Sequence, residues 1–187
     1  MIKINEKVPE FELEAFQDKK IKKIKLSNYL GKWLVLLFYP ADFTFVCPTE
    51  LSEAAKNYDK FEKINTEVVS VSTDTAFVHK AWHDESPMIG EIKYPMAADP
   101  TSRVCRSFGT YIDSEGLSLR ATFIIDPKGI LKAMEMHDNS IGRNTEEILR
   151  KLQAAQHVYT HKNEVCPASW KPGAKTLKPG LDLVGKL

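Results

Sequence analysis

The sequence predicts an α/β fold, in which helices cover a central sheet. Three observations support this prediction: a continuous apolar run of strand length, a following segment with helical periodicity, and a second, valine-rich run of strand length. The first run, Trp33 to Tyr39, fits a strand that is buried on both faces of a sheet, and Pro40 ends it. Val68 to Ser72 forms the second run. The order strand, helix, strand predicts a right-handed parallel crossover.

The size and the charge of the chain narrow the range of functions. Its 187 residues suit one domain, or one domain with a tail. The 26 basic and 25 acidic residues give a formal net charge of +1, so no charge excess favours nucleic acid or an anionic membrane as a partner. The apolar runs are far shorter than the ~20 residues of a transmembrane helix. The first residues lack the apolar core of a signal peptide.

The cysteine content agrees with a cytoplasmic location, which we expect for this chain. That compartment is reducing, and an odd count of three cysteines does not suit a simple disulfide framework. We therefore expect these cysteines to be catalytic, buried or metal-bound.

A short hairpin is predicted before the crossover, and another after it. The first joins residues 11–16 and 20–26 across a polar turn. The second joins residues 122–125 and 130–136 across Asp126-Pro127-Lys128-Gly129. In that turn the proline presets φ and the glycine accepts a positive φ.

Helical spacing of apolar residues predicts four helices. In the first, which follows Cys47, apolar residues recur at helical spacing to Phe61. Pro48 suits the first helical position, where the missing N–H is not needed, so Cys47 is expected at or just before the helix N-terminus. The last begins at Asn144, with Glu147 placed as a capping-box partner. The two shorter helices between them cover residues 77–84 and 104–108.

The order β-α-β, then a hairpin, then a helix is a thioredoxin-like arrangement. We predict a thioredoxin-like fold with an N-terminal β-hairpin and an extended C-terminal arm. Residues 1–159 are predicted to form the domain. Pro167, Pro172 and Pro179 interrupt residues 160–187, which are therefore predicted to form the arm.

Cys47 follows the buried strand and opens the first helix, and this position favours a reactive thiol. Ligands of parallel sheets meet helix N-termini at the carboxyl ends of the strands. Unpaired N–H groups and the helix dipole stabilise a thiolate there. Buried, inert cysteines are also common, so the position alone leaves both interpretations open.

The residues around Cys47 favour the reactive interpretation. Pro40 to Cys47 reads Pro-Ala-Asp-Phe-Thr-Phe-Val-Cys, and its Pro-x-x-x-Thr-x-x-Cys pattern resembles the active-site signature of the peroxiredoxins. This resemblance implies that Cys47 is the nucleophile, that the Thr44 hydroxyl meets a peroxide oxygen, and that Pro40 restricts water. Residues 119–126 are similar to the family segment that carries the active-site arginine, which places that role on Arg120.

Further segments extend the resemblance over nearly the whole chain. The Val-Cys-Pro-Ala sequence around Cys166 is similar to the resolving-cysteine segment of typical 2-Cys peroxiredoxins, so Cys166 is expected to resolve oxidised Cys47. Glu50 and Arg143 match family positions that help to orient the arginine. Residues 181–187 are similar to the last segment of bacterial members of the family.

A low thiol pKa by itself does not explain fast peroxide reduction. A fall in pKa from about 8.5 to about 6 raises the thiolate fraction roughly 30-fold at neutral pH. The same fall lowers the nucleophilicity roughly tenfold. Most of the acceleration must therefore come from stabilising charge on the departing oxygen, a task that suits the Arg120 guanidinium and the Thr44 hydroxyl.

The resemblance also implies the partners. The substrates would be hydrogen peroxide and organic hydroperoxides. Cys166 would come from the neighbouring subunit of a head-to-tail homodimer, and five dimers would form a decamer. Thioredoxin or a flavin-dependent disulfide reductase would restore both thiols, and we expect neither a cofactor nor a metal in the site.

Other interpretations are less well supported by the sequence. A dithiol oxidoreductase needs Cys-x-x-Cys, but position 50 is Glu50. A holdase chaperone or peroxide sensor stays open as a secondary role. His79 and His83 are spaced as metal ligands on a helix, although two ligands without a third are weak evidence. Cys105 matches no family motif and is expected to be a buried packing thiol.

Overall fold

A seven-stranded mixed sheet lies at the centre of the first part of the chain in the computed structural model, which describes residues 2–186. The strands are, in chain order, β1 (Glu12–Gln17), β2 (Lys20–Lys25), β3 (Trp33–Phe38), β4 (Thr66–Ser72), β5 (Met96–Ala98), β6 (Tyr111–Ile112), β7 (Leu117–Ser118), β8 (Arg120–Ile125) and β9 (Leu131–His137). The order within the sheet is β2-β1-β5-β4-β3-β8-β9, and β6 pairs with β7 separately. Strands β3, β4 and β5 are parallel, and the remaining neighbours are antiparallel. This sheet confirms the predicted α/β class.

The chain also contains five α-helices among its described residues. Within residues 2–186 they are α1 (Cys47–Lys56), α2 (Tyr58–Lys63), α3 (Ala76–Glu85), α4 (Arg103–Phe108) and α5 (Thr145–Thr160). Helix α2 packs against β4, and α3 packs against β1 and β5. None of the helices in this range combines the length and the apolar character that crossing a membrane requires.

The described residues divide into two compact units, one that ends at Thr145 and one that begins at Glu146. The predicted division into residues 1–159 and 160–187 stays a prediction. Met1, at the start of the first range, and Leu187, at the end of the second, lie outside the described residues.

The predicted C-terminal arm is irregular along most of its length, as expected from its prolines. It follows α5, which ends at Thr160. An isolated β-bridge pairs Val165 with Leu177, and a short 3₁₀ turn covers Leu181–Leu183. The Trp170 side chain is buried, and its ring lies 5.0 Å from that of His157, so the arm packs against α5.

The crossover from β3 through α1 to β4 is confirmed, and all six residues of β3 are buried. Two details of the predicted helix are wrong. Pro48 takes the second helical position rather than the first, because the helix already begins at Cys47. The helix does not continue to Phe61 but is interrupted at Asn57, whose side-chain amide donates to the carbonyl oxygen of Glu53 at 2.9 Å. Such side chains compete with the backbone for helical hydrogen bonds.

Both predicted hairpins are confirmed as antiparallel pairs, β1 with β2 and β8 with β9. Gly129 has a φ of 78°, the positive value that the second turn requires. Strands β5, β6 and β7 were not predicted, because two or three residues are too few to show alternation. The last helix begins at Thr145, one residue after the predicted Asn144, and helix ends commonly fray by a residue.

The pairing of β3 with β8 brings Arg120 next to the end of β3, from which the chain leads to Cys47. Phe38, the last residue of β3, lies opposite Ala121 of β8. Arg120, at the start of β8, therefore lies beside the point where the chain leaves β3 for α1. The rings of Phe38, Phe108 and Phe123 contact one another with centroids 5.0 to 5.4 Å apart, and this packing holds the two strands together.

Candidate active site

Cys47 is the first residue of α1, and its side chain is fully buried. The loop of residues 40–46 connects it to β3 and begins with buried Pro40. The first turn of a helix has N–H groups without intrahelical partners and the positive end of the helix dipole. Both features make this a favourable place for a thiolate. The sequence predicted this location of Cys47 correctly.

The Arg120 guanidinium reaches the thiol directly. Its Nη1 donates to Cys47 Sγ at 3.2 Å and to Oε2 of Glu50 at 2.7 Å. Its Nε donates to the main-chain oxygen of Asn139 at 2.9 Å. Only 3% of Arg120 is exposed, so this cation acts on the sulfur with little screening by solvent.

Glu50 also binds Arg143, and the two arginines therefore share one carboxylate. Oε1 of Glu50 accepts from the main-chain N–H and from Nε of Arg143, each at 2.8 Å, and Oε2 accepts from Nη2 at 3.1 Å. Burial raises the pKa of the Glu50 carboxyl. The hydrogen bonds and charge of Arg143, together with the charge of Arg120, outweigh burial, and the pKa is lowered. Glu50 is therefore an anion at neutral pH.

Thr44 lies in the loop before Cys47 and is partly buried. Its hydroxyl donates to the main-chain oxygen of Ala41 at 2.9 Å. In this orientation the hydroxyl proton is directed into the loop, and the lone pairs of the oxygen are left to accept from a further donor.

The same loop is anchored by a buried polar network. His79 contacts Asp42 Oδ2 through Nδ1 at 2.7 Å and the main-chain oxygen of Ala97 through Nε2 at 3.2 Å. The Tyr39 hydroxyl donates to Oδ1 of Asp42 at 2.7 Å. Burial, and then the Asp42 charge, raises the pKa of Tyr39 well above its ordinary value. The two carboxylate oxygens of Asp42 thus connect the loop to Tyr39, which follows β3, and to His79 of α3.

The two histidines with metal-ligand spacing have separate partners. His79 belongs to the network just described, while His83 contacts the main-chain oxygen of Ile92 at 3.3 Å. Within residues 2–186, no group of three or more His, Cys, Asp or Glu side chains is arranged to hold a metal ion.

Cys166 lies in the second unit and is partly exposed. Its Sγ is 3.9 Å from the main-chain oxygen of Ala154 on α5. Burial and the charge of Glu164 raise the pKa of Cys166, and the charge of Arg150 acts in the opposite direction. The environment of this thiol thus favours its protonated form.

Cys105 has the surroundings of a packing residue. It is fully buried on α4, and burial together with the charge of Asp99 raises its pKa to about 12. A thiol with this pKa stays protonated at neutral pH and is a poor nucleophile.

The sequence prediction gives no role in this site to Asn139, Asp42 or His79. Asn139 contacts Arg120 through a main-chain oxygen, and no side-chain pattern reveals such a contact. Asp42 lies inside the signature segment, but its partner His79 is 37 residues away. The one signal of this buried pair in the sequence was a polar residue, His79, within an apolar helix face.

Comparison with known proteins places the chain among peroxide-reducing enzymes. Residues 4–134 match the AhpC/TSA family, and residues 154–185 match the C-terminal domain of 1-Cys peroxiredoxin. The chain is 50% identical over 184 residues to alkyl hydroperoxide reductase C of Pseudomonas aeruginosa (strain UCBPP-PA14), with 98% of each protein covered. It is 48% identical over 186 residues to alkyl hydroperoxide reductase C of Staphylococcus aureus, again with 98% of each covered.

Two solved structures show the same fold. Enterococcus faecalis AhpC matches with a TM-score of 0.87 and 47% identity, covering 89% of this chain and 100% of that one. The reduced 2-Cys peroxiredoxin of Plasmodium vivax matches with a TM-score of 0.92 and 34% identity, covering 96% of this chain and 94% of that one.

The predicted thioredoxin-like fold is confirmed by these relatives. Fold and relatives together define the class of protein, a peroxidase that uses a cysteine thiol as its reducing group. Identity at half of the aligned residues, over nearly the full length of the relatives, then decides the family. The chain belongs to the AhpC/TSA family and is a peroxiredoxin.

Proposed function

We propose that Cys47 is the nucleophile that attacks the peroxide and that Arg120 stabilises the departing oxygen. The observation that carries this proposal is the 3.2 Å hydrogen bond from Nη1 of Arg120 to the buried Cys47 Sγ. A fixed cation at this distance from the sulfur can also meet an oxygen bonded to that sulfur. It therefore acts most strongly when negative charge develops on the oxygen.

Four residues support this pair in our proposal. The Thr44 hydroxyl, which donates within its own loop, accepts the hydrogen of an incoming hydroperoxide, or turns to donate to its oxygen. Pro40 limits access of water to the sulfur. Glu50 and Arg143 orient the Arg120 guanidinium.

The proposed chemical step transfers two electrons from sulfur to peroxide. The Cys47 thiolate attacks the terminal oxygen of the hydroperoxide, and the S–O bond forms as the O–O bond breaks. The leaving alkoxide or hydroxide takes up a proton and departs as an alcohol or water. Cys47 becomes a sulfenic acid.

Cys166 is proposed to resolve this sulfenic acid. Its thiol attacks the Cys47 sulfur, a disulfide forms, and the sulfenic oxygen leaves as water. We propose that Cys166 comes from the neighbouring subunit, as in typical 2-Cys peroxiredoxins. Residues 154–185, which match the C-terminal domain of 1-Cys peroxiredoxin, include Cys166, so the chain supplies a second thiol for the proposed step.

The substrates, reductant and assembly are proposed from the family. The names of the bacterial relatives support alkyl hydroperoxides as substrates, and we propose hydrogen peroxide as a further substrate. Thioredoxin or a flavin-dependent disulfide reductase would reduce the disulfide. A homodimer that assembles into a decamer would cover exposed apolar side chains such as Phe43 and Phe45. We propose the cytoplasm as the location, because a reducing compartment returns both cysteines to thiols.

A holdase chaperone activity is a second proposed role. Phe77 is 71% exposed, and large exposed apolar side chains can bind unfolded clients. The test is suppression of client aggregation by the Cys47→Ser variant, which separates this role from peroxide reduction. Aggregation at the rate seen without the protein would remove the chaperone proposal.

The central experiment is non-reducing electrophoresis after one equivalent of hydrogen peroxide. The wild-type protein should form a dimer linked through Cys47 and Cys166, which peptide mass spectrometry identifies. Cys105→Ser should form the same dimer, and Cys166→Ser should not. A monomer with sulfenic acid on Cys47 would exclude Cys166, and unchanged peroxide consumption by Cys47→Ser would overturn the whole proposal.

A further inference from the structure

Asn139 contacts Arg120 through two different groups. Its side-chain Oδ1 accepts from the main-chain N–H of Arg120 at 3.2 Å. Its main-chain oxygen accepts from Nε of the same arginine at 2.9 Å. The side chain thus docks the loop after β9 onto the start of β8, and the docked carbonyl then holds the guanidinium.

The loop that contains Asn139 is ordered by its own hydrogen bonds. The main-chain N–H of Ser140 donates to Asp138 Oδ1 at 2.8 Å, and that of Ile141 donates to the Asp138 carbonyl oxygen at 3.0 Å. Two residues later, Arg143 binds Glu50. The Asn139 carbonyl is therefore a fixed acceptor, provided that the loop stays docked on β8.

Two fixed acceptors are needed to hold a guanidinium in one orientation. Glu50 accepts from Nη1 of Arg120, but a single hydrogen bond leaves the planar group free to turn about that contact. The bond from Nε to Asn139 removes this freedom, because Nε and Nη1 belong to the same rigid plane. Nη1 then stays directed at Cys47 Sγ as well as at the carboxylate.

We infer that Asn139 is a positioning residue for peroxide reduction and that it acts through Arg120. This inference rests on the proposed role of Arg120 at the departing oxygen. Without the Asn139 side chain, the buried N–H of Arg120 loses its acceptor, and the loop loses its tie to β8 at residue 139. The guanidinium then samples orientations in which Nη1 does not face the reacting oxygen.

The test compares two reactions of Cys47. The first is the second-order rate of oxidation by hydrogen peroxide, followed by stopped-flow fluorescence. The second is alkylation by iodoacetamide, which needs the thiolate but no stabilised departing oxygen. We expect Asn139→Ala to slow oxidation about tenfold and to change alkylation by less than about twofold.

Three variants make the result specific to the hydrogen bond. Asn139→Asp keeps an acceptor for the Arg120 N–H and should restore the oxidation rate to within about threefold. Ser140→Ala, an exposed neighbour in the same loop, should behave as wild type. Asn139→Ser has a shorter side chain and should lose as much as Asn139→Ala, so it replaces that variant if the alanine protein does not fold.

A double-mutant cycle with Arg120→Lys separates this inference from the proposed function. If Asn139 acts through Arg120, Asn139→Ala should cause no further loss in the lysine background. An additive loss, or oxidation at the wild-type rate in both Asn139→Ala and Asn139→Ser, would overturn the inference alone. Oxidation at the wild-type rate in Arg120→Lys would instead overturn the proposed role of Arg120, and the inference with it.

Discussion

Cys47 and Glu50 accept hydrogen bonds from the same nitrogen atom, Nη1 of Arg120, at 3.2 and 2.7 Å. This sharing is possible because Glu50 follows Cys47 by three residues on α1, about one helical turn. The carboxylate alone would neutralise Arg120, but it also binds Arg143. Two guanidinium groups and one carboxylate leave a net positive charge beside the sulfur.

Glu50→Gln is predicted to lower both stability and activity. The substitution removes the anion between two buried arginines and leaves their charges uncompensated. Breaking such a buried pair costs about 3–5 kcal/mol of unfolding free energy. Urea denaturation measures this loss, and stopped-flow oxidation by peroxide should slow with it. Unchanged values of both in Glu50→Gln would show that the carboxylate does not hold the arginines.

The lowered pKa of Glu50 predicts a loss of stability in acid. A carboxyl whose pKa is lower in the folded state than in the unfolded state stabilises the protein at pH values above its unfolded pKa. This contribution is lost as the pH falls through the folded-state pKa, which lies below the ordinary value of 4.5. The unfolding free energy should therefore fall more steeply below pH 4.5 in the wild type than in Glu50→Gln. Parallel curves for the two proteins would contradict this prediction.

Thr44→Val is predicted to slow peroxide reduction about 10²-fold, because valine has the same shape but no hydroxyl to meet the peroxide. Thr44→Ser keeps the hydroxyl and should retain most of the rate. The measurement is the second-order rate of Cys47 oxidation, with iodoacetamide alkylation as the control for the thiolate. A valine variant as fast as the serine variant would exclude a role for the hydroxyl.

Cys166→Ser is predicted to complete one turnover and then stop. Its Cys47 reacts with peroxide as in the wild type, but no second thiol is available to form the disulfide that the reductase recognises. Peroxide consumption with thioredoxin and its reductase should end after about one equivalent per subunit. Continued turnover at the wild-type rate would remove Cys166 from the cycle.

Cys105→Ala is predicted to keep full peroxidase activity, because Cys105 is a buried, protonated thiol. The smaller side chain leaves a small cavity in the core, which should lower the unfolding free energy by about 1–2 kcal/mol. Thermal unfolding and the peroxide assay test the two parts separately. A large loss of activity in a stable Cys105→Ala protein would indicate a redox role for this residue.

Local patterns in the sequence predicted the elements that depend on neighbouring residues. The apolar run from Trp33 placed β3, and the helical spacing after Cys47 placed the thiol at a helix N-terminus. The interruption of that helix at Asn57 was not predicted. It depends on one side chain bonding the backbone within a segment whose apolar spacing continues unbroken.

The sequence by itself determined the fold class and, through motif resemblance, predicted Cys47 as the reactive thiol together with the residues expected around it. Only the tertiary structure decided how these residues meet. Nη1 of Arg120 donates to both Cys47 and Glu50, and Nε of the same guanidinium donates to the main-chain oxygen of Asn139. The physical reason is that propensity and periodicity act between near neighbours along the chain. A hydrogen bond from β8 to α1, or to a main-chain oxygen after β9, exists only once packing has brought distant segments together.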